Sequence, residues 1–202
     1  MKFPKQKTKI AAKLRLRTNA QNIWDINVLI DRVDHTSDDG TIKRIDYQNG
    51  SSEWRILEPT TMEFVLHREN GPARIHSNGC CEYMTFGVLH RLDGPAIIGE
   101  DRREYYVNGK RHRSDGPAVI HDNGNKSWLQ FGVRHRENGP AVERIDGSKR
   151  WYRFGALHRE NGPAVIISNG AQQYWINNLP YSPGSDYEEA LKLWIINSVL
   201  EQ

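Results

Sequence analysis

The sequence predicts an all-β fold: a curled antiparallel meander of β-hairpin repeats, each 22–23 residues long, with a capping helix at the C-terminus. The main observation is the motif His-Arg-x-(Asn/Asp)-Gly-Pro-Ala, which occurs five times at that spacing. Regular self-similarity over such a period is typical of architectures in which each unit packs against its neighbours. The second observation is that every repeat contains Asn-Gly or Asp-Gly pairs. Such pairs favour tight turns between short strands. The Gly-Pro-Ala copies begin at Gly71, Gly94, Gly116, Gly139 and Gly162.

The N-terminal segment, residues 1–34, begins as a basic arm. Its residues 1–17 contain seven lysines and arginines and no acidic residue, whereas the whole chain has a net charge of +3. Charged and apolar residues alternate over residues 13–17, which predicts an edge strand whose charges prevent unwanted sheet pairing. The alternative interpretation is an arm that contacts nucleic-acid phosphates. We favour the edge strand. The residues that would form the nucleic-acid arm are Lys7, Lys9, Lys13, Arg15 and Arg17.

The repeat domain is predicted to cover residues 35–184. It follows residues 20–33, whose apolar pattern fits either a strand or a helix and for which we favour a strand. The domain holds about six units, of which the first and the last are degenerate. Trp54 marks the first unit, because it follows an Asn-Gly turn by the same distance as Trp128 does. Aromatic residues at this position are expected to share one face of a sheet and to stabilise it. The other members of the set are Tyr83, Tyr105, Trp151 and Tyr174.

The last predicted element is a capping helix over residues 185–202. A proline-rich stretch at residues 179–184 stops the repeats, and Ser185 then provides an N-cap ahead of acidic residues in the first turn. Apolar residues recur at helical spacing, which predicts that the helix covers an apolar face of the last repeats. The residues expected to be buried there include Leu191, Trp194 and Ile195.

Composition and motif content exclude several classes of protein. No apolar run is long enough for a membrane-spanning helix, and the basic N-terminus lacks the apolar core of a secretory signal. The two cysteines, Cys80 and Cys81, are adjacent and cannot form the disulfide framework that stabilises small secreted proteins, which favours the cytoplasm. The sequence contains no nucleophile motif, phosphate-binding loop or metal-ligand pattern. We therefore predict a non-enzymatic protein with no catalytic residue, cofactor or metal.

The repeat motif resembles the MORN-type β-hairpin repeats, and it is most similar to the His-Arg-x-Asp-Gly-Pro-Ala variant of bacteriophage and large-virus proteins. The resemblance covers about residues 41–184 and rests on the period, the glycine-rich turns and the repeated aromatic residues. MORN-like proteins serve as scaffolds, membrane-associated platforms and antitoxin-like partners. The resemblance therefore implies a protein-binding module, encoded by a virus, that binds or inhibits a host protein in the host cytoplasm.

The candidate interaction surface consists of the two most basic His-Arg turns and two tyrosines close to them. A feature that recurs in every unit is more typical of framework than of a singular site, so we favour a framework role for the His-Arg pairs. The alternative function is nucleic-acid binding through the basic arm and the His-Arg edge. Oligomerisation through an apolar sheet face is a further expectation. The candidate residues are Arg111, His112, Arg113, Arg134, His135, Arg136, Tyr106 and Tyr152.

Overall fold

A computed structural model of the chain describes residues 7–18 and 24–200, with residues 7–18, 24–31 and 185 described by their backbone alone. The chain divides into two compact units, Met1–Glu100 and Asp101–Gln202. The strands described in the first unit are β1 (Lys7–Thr18), β2 (Trp24–Thr36), β3 (Ile42–Tyr47), β4 (Ser52–Leu57), β5 (Phe64–Leu66), β6 (Arg74–Ile75), β7 (Cys81–Glu82), β8 (Met84–Thr85), β9 (Val88–Leu89) and β10 (Ile97–Ile98).

The second unit contains shorter strands and the single helix of the described residues. Its elements are β11 (Arg102–Glu104), β12 (Tyr106–Val107), β13 (Lys110–Arg111), β14 (Val119–His121), β15 (Lys126–Ser127), β16 (Leu129–Gln130), β17 (Val133–Arg134), β18 (Val142–Glu143), β19 (Lys149–Arg150), β20 (Tyr152–Arg153), β21 (Ala156–Leu157), β22 (Val165–Ile166), β23 (Gln172–Ile176), β24 (Leu179–Tyr181) and α1 (Ser185–Leu200).

The first unit is an antiparallel meander with the strand order β1-β2-β3-β4-β6-β7-β10, and β5 pairs with β4. Strand β1 pairs with β2 from Lys7 opposite Thr36 to Thr18 opposite Trp24, with one irregularity near Ala11. The backbone of the basic arm therefore forms the first strand of this order. Residues 24–33 lie in β2, which confirms the strand interpretation for them, whereas residues 20–23 lie outside the described residues.

The second unit continues the same pattern with the main-sheet order β11-β14-β15-β18-β19-β22-β23-β24. Between these strands, the chain forms separate two-stranded hairpins, β12-β13, β16-β17 and β20-β21, as β8-β9 does in the first unit. All described pairings in the two units are antiparallel. The prediction of an antiparallel meander of hairpins with one C-terminal helix is confirmed.

The first four repeats contain four short strands each, not the two of a simple hairpin that the sequence pattern predicts, and the last repeat contains three, β22, β23 and β24. The extra pair arises because the chain leaves the main sheet at the repeated aromatic residue, here Trp128 between β15 and β16. A two-residue turn then follows at Phe131 and Gly132, both with positive φ angles of 46° and 93°. This geometry is that of a tight hairpin turn. We did not predict it, because phenylalanine has no preference for a positive φ.

The Asn-Gly and Asp-Gly pairs of the Gly-Pro-Ala motif are not hairpin turns, contrary to our expectation. Asn138 and Gly139 lie in a loop between β17 and β18, two strands that do not pair with each other. The loop ends at an alanine that is fully buried in every copy of the motif. Its carbonyl accepts the backbone N–H of the repeated aromatic residue, as in the 2.8 Å bond from Trp128 to Ala141. The five buried alanines are Ala73, Ala96, Ala118, Ala141 and Ala164.

Helix α1 packs on the last repeat through one line of side chains. Tyr187 is buried, and its hydroxyl donates to the carbonyl oxygens of Arg159 and Gly162. Two turns later, Trp194 packs against His158 with ring centres 4.5 Å apart. The prediction that Ile195 is buried is wrong, since 44% of it is exposed. Ile195 lies about 100° around the helix from Trp194 and so misses the contact line. No helix among the described residues is long and apolar enough to cross a membrane.

Candidate binding surface

The arginine of each His-Arg pair is part of the framework. Arg136 lies over the ring of Trp128, with its guanidinium carbon 3.9 Å from the ring centre, and it donates to the carbonyl of Pro140 at 3.1 Å. The other side of the guanidinium faces Gly139, where a Cβ atom would lie 3.1 Å from the guanidinium carbon. The motif therefore needs an arginine, an aromatic ring and a glycine together, because the guanidinium of the arginine lies between the aromatic ring and the glycine. The same stacking joins Arg68 to Trp54, Arg91 to Tyr83, Arg113 to Tyr105 and Arg159 to Trp151.

The histidine of the pair orients the hairpin of the following repeat. His112 stacks on Phe131 with ring centres 4.1 Å apart and an angle of 17° between the planes. Its Nδ1 atom accepts the backbone N–H of Phe131 at 3.3 Å. His135 holds Phe154 in the same way, at 4.2 Å and 10°. These contacts stabilise phenylalanines whose φ angles are positive, a conformation that bulky residues rarely adopt.

The hairpin tips of the second unit lie in a continuous row. The N–H of Gly132 donates to the carbonyl of Arg111, and that of Gly155 donates to the carbonyl of Arg134, both at 2.8 Å. Phe131 is 59% exposed and Phe154 is 68% exposed although both rings are fixed by histidine stacking. We call the turn residues that share this position the hairpin-tip row. Its members in the second unit are Asn108, Phe131, Phe154 and Asn177.

A cleft of about 410 Å³ opens in the second unit where the hairpins meet the main sheet. At its base lies Glu104, which is 1% exposed. The Nε atoms of Arg102 and Arg111 donate to its two oxygens at 2.6 and 2.7 Å, and the Tyr106 hydroxyl donates to it at 3.0 Å. Burial by itself would raise the pKa of Glu104, but these three hydrogen bonds outweigh it and hold the pKa below its ordinary value. The carboxylate is therefore ionised and positions two guanidinium groups.

Arg134 is the third arginine of the cleft. Among the described residues it has no carboxylate partner, and its guanidinium carbon lies 5.4 Å from the ring centre of Tyr152. Arg134 and Arg111 occupy the position just before the His-Arg pair, where the other three copies have leucine. This replacement of leucine by arginine in two of the five copies distinguishes Arg111 and Arg134 from the framework residues, which recur in every copy. The leucines at this position are Leu66, Leu89 and Leu157.

The structure thus divides the predicted surface residues into two groups. His112, Arg113, His135 and Arg136 belong to the stacked framework, while Arg111 and Arg134 line the cleft. Tyr106 supports the cleft through Glu104, and Tyr152 lies near Arg134. The sequence reasoning missed Arg102, Glu104, Phe131 and Phe154. The basic residues Lys7, Lys9, Lys13, Arg15 and Arg17 lie in β1, and their side chains are outside the described part of the chain.

The described residues contain no group of three or more histidine, cysteine, aspartate or glutamate side chains that could hold a metal ion. Cys80 and Cys81 are free thiols, and burial together with the neighbouring Cys80 raises the pKa of the Cys81 thiol. A raised pKa leaves less thiolate at neutral pH and makes Cys81 a poorer nucleophile. Comparisons of the chain with protein-family models, with curated proteins and with solved structures give no match.

His158, which packs against Trp194 of α1, should make the stability of the protein depend on pH. Burial lowers its pKa, although the Glu160 carboxylate lies 3.5 Å from its Nε2 atom. Because the unfolded chain binds a proton more readily, the contribution of His158 is complete above about pH 6.5 and decreases as the pH falls towards its folded pKa. We expect the His158→Asn variant to show a smaller loss of unfolding free energy between pH 7.5 and 5.5 than the wild type. Equal losses in urea titrations of the two proteins would contradict this assignment.

Proposed function

We propose that this chain is a non-enzymatic protein-binding repeat module and that the hairpin-tip row is its contact surface. The observation that carries the proposal is the pair of exposed phenylalanines, Phe131 and Phe154, each fixed by a stacked histidine. Aromatic anchors of this kind dominate the energetics of protein interfaces. Because the rings are already held in place, binding would cost little side-chain entropy.

The surroundings of the two phenylalanines support a macromolecular partner. Val133, between them in the chain, is also 45% exposed and adds apolar surface to the row. Lys110 is exposed on the neighbouring hairpin β12-β13 and adds positive charge, whereas Arg153, next to Phe154, pairs with the Glu160 carboxylate at 2.8 Å. The surface therefore suits a partner that presents apolar groups with acidic residues around them.

The resemblance of the motif to MORN-like repeats of phage and large-virus proteins supports a more specific proposal. In this proposal the protein is a virus-encoded accessory that binds or inhibits a host protein in the host cytoplasm. An extended repeat surface suits a macromolecular partner better than a small substrate.

The proposal is tested by replacing both phenylalanines with asparagine. Asparagine accepts a positive φ, and the chain itself places Asn108 and Asn177 at the equivalent positions. The Phe131→Asn/Phe154→Asn variant should therefore fold normally while losing both anchors. A protein captured from host lysate by the wild type should then bind the purified variant at least about tenfold more weakly.

The matched control is Ile145→Ser, which removes an exposed apolar residue of the same unit away from the hairpin tips. Binding by this control should equal that of the wild type. Unchanged binding by the asparagine variant, at unchanged thermal stability, would overturn the proposal.

Nucleic-acid binding is the alternative outcome. It predicts tight binding of DNA or RNA at about 0.15 M salt, with an affinity that is lost when residues 1–17 are deleted. The arm forms β1, which pairs with β2 along its whole length. We therefore expect this deletion to lower stability and to leave capture of the protein partner intact. Tight, arm-dependent binding of an oligonucleotide would assign the protein to the nucleic-acid class instead.

A further inference from the structure

The cleft at Glu104 is the strongest feature that the proposed function does not use. Three arginines and one carboxylate line it, so its local charge is positive. Arg102 and Arg111 have side chains that are 47% and 46% exposed, although both are anchored at the buried Glu104. Glu104 engages only the Nε atom of each guanidinium. The terminal amino groups of both arginines are therefore positioned but not used by this carboxylate.

The third guanidinium increases the positive charge and lacks a compensating acid. Arg134 extends from β17, opposite Leu129 in β16, and among the described residues no carboxylate pairs with it. Apart from Glu104, the one carboxylate among the described residues that lies within 4 Å of these arginines is Asp101, at 3.9 Å from Arg102, and its side chain is largely exposed. An exposed pair at that distance is weak in water. The cleft therefore retains an excess of hydrogen-bond donors with positive charge.

The repeat framework does not explain these arginines. At the position of Arg111 and Arg134 the other units have leucine, and those units keep the same stacked His-Arg framework. The two arginines are thus a local addition to an otherwise uniform scaffold. Such singular residues on a regular scaffold are where function is expected.

We propose that this cleft binds the phosphate group of a small phosphate monoester. Planar guanidinium groups match the oxygens of a phosphate in pairs, and several arginines around one dianion give charge-assisted hydrogen bonds. The volume of about 410 Å³ lies within the range of small-molecule sites and exceeds what a phosphate ion alone requires. The lining of the cleft also includes two apolar residues, Val119 and Leu129, which can contact the organic part of the ligand. His121 and Ser127 complete the lining.

The test is calorimetric titration of the full chain with a nucleoside monophosphate and, separately, with inorganic phosphate, at constant ionic strength. We expect the monophosphate to bind with a dissociation constant on the order of 1 mM or tighter. Arg134→Leu restores the residue that three other units have at this position, so the variant should fold. It should weaken binding at least about tenfold, which is the loss expected for one charge-assisted hydrogen bond. Arg134→Gln, which keeps a polar side chain, should give the same loss.

The matched control is Arg103→Leu. Arg103 is the residue between Arg102 and Glu104 in β11, so its side chain points to the opposite face of the sheet. Its removal changes the net charge by the same amount and should leave binding unchanged. A loss equal to that of Arg134→Leu, or no binding of either ligand by the wild type, would overturn the proposal.

The two ligands distinguish the sources of the phosphate group. Tighter binding of the monophosphate supports a site for a monoester, while equal binding supports recognition of the phosphate group alone. The inference is independent of the proposed function, because the Phe131→Asn/Phe154→Asn variant should bind the monophosphate as the wild type does.

Discussion

Trp54→Ala should lower the free energy of unfolding by about 3–5 kcal/mol, the loss expected when a buried aromatic side chain is truncated in a core. Trp54 is buried in the first unit, and the guanidinium carbons of Arg68 and Arg44 lie 4.0 and 5.3 Å from its ring centre. Its backbone N–H also donates to Ala73, and its carbonyl accepts from His67. Loss of the ring would therefore remove both a core side chain and the surface on which Arg68 stacks. Urea titration followed by circular dichroism measures the effect.

Two variants separate the contributions at Trp54. Trp54→Phe keeps a ring beneath Arg68 and should cost clearly less than the alanine variant. Combining Trp54→Ala with Arg68→Ala in a double-mutant cycle should give a coupling energy of about 0.5–2 kcal/mol, the range for a cation over an aromatic face. A loss below about 1 kcal/mol for Trp54→Ala would show that the stack is not a source of stability.

Gly139→Val is expected to destabilise the protein by about 2–4 kcal/mol, for two separate reasons. The φ angle of Gly139 is 131°, which a β-branched residue adopts only with strain. In addition, a Cβ atom would lie 3.1 Å from the guanidinium carbon of Arg136 and would displace this arginine from Trp128. The midpoint and slope of a urea titration give the change in stability.

Two other glycines serve as controls, because each has only one of these features. Gly147 has a φ of 85° and open space around it, so Gly147→Val reports strain alone, about 1–2 kcal/mol. Gly116 faces Arg113 at 3.1 Å without a left-handed φ, so Gly116→Val reports the steric contact. The Asp-Gly and Asn-Gly pairs of the motif suggest a positive φ at both Gly116 and Gly139, but only Gly139 has one. Equal losses for Gly139→Val and Gly147→Val would exclude a role for the arginine stack.

The candidate surface was only partly predictable. Arg111 and Arg134 could be selected from the sequence as the most basic turns, and both line the cleft. The sequence did not show that their neighbours His112 and Arg136 have a different role, because all of these residues belong to the same two basic turns. The structure places these two in the stacked framework.

Glu104 shows why the remainder of the site escaped prediction. A glutamate in a charged stretch, Arg102 to Glu104, has the pattern of a solvated strand, yet Glu104 is almost completely buried. It is buried because Arg111, seven residues further along the chain, returns over it through the hairpin β12-β13 and neutralises it. That hairpin depends on the turn at Asn108 and Gly109, whose function as a tight turn becomes evident only with their positive φ angles.

The sequence by itself determined the repeat period, the antiparallel meander and the C-terminal helix, because turn chemistry, alternation and helical spacing act over a few residues. The tertiary structure decided which residues of each period face one another. Phe131 is held in a positive φ by His112, 19 residues earlier, and Arg136 is held between Trp128 and Gly139. Contacts between successive repeats set these positions. Local propensity does not encode them, since the same residue types would adopt other conformations without the neighbouring unit.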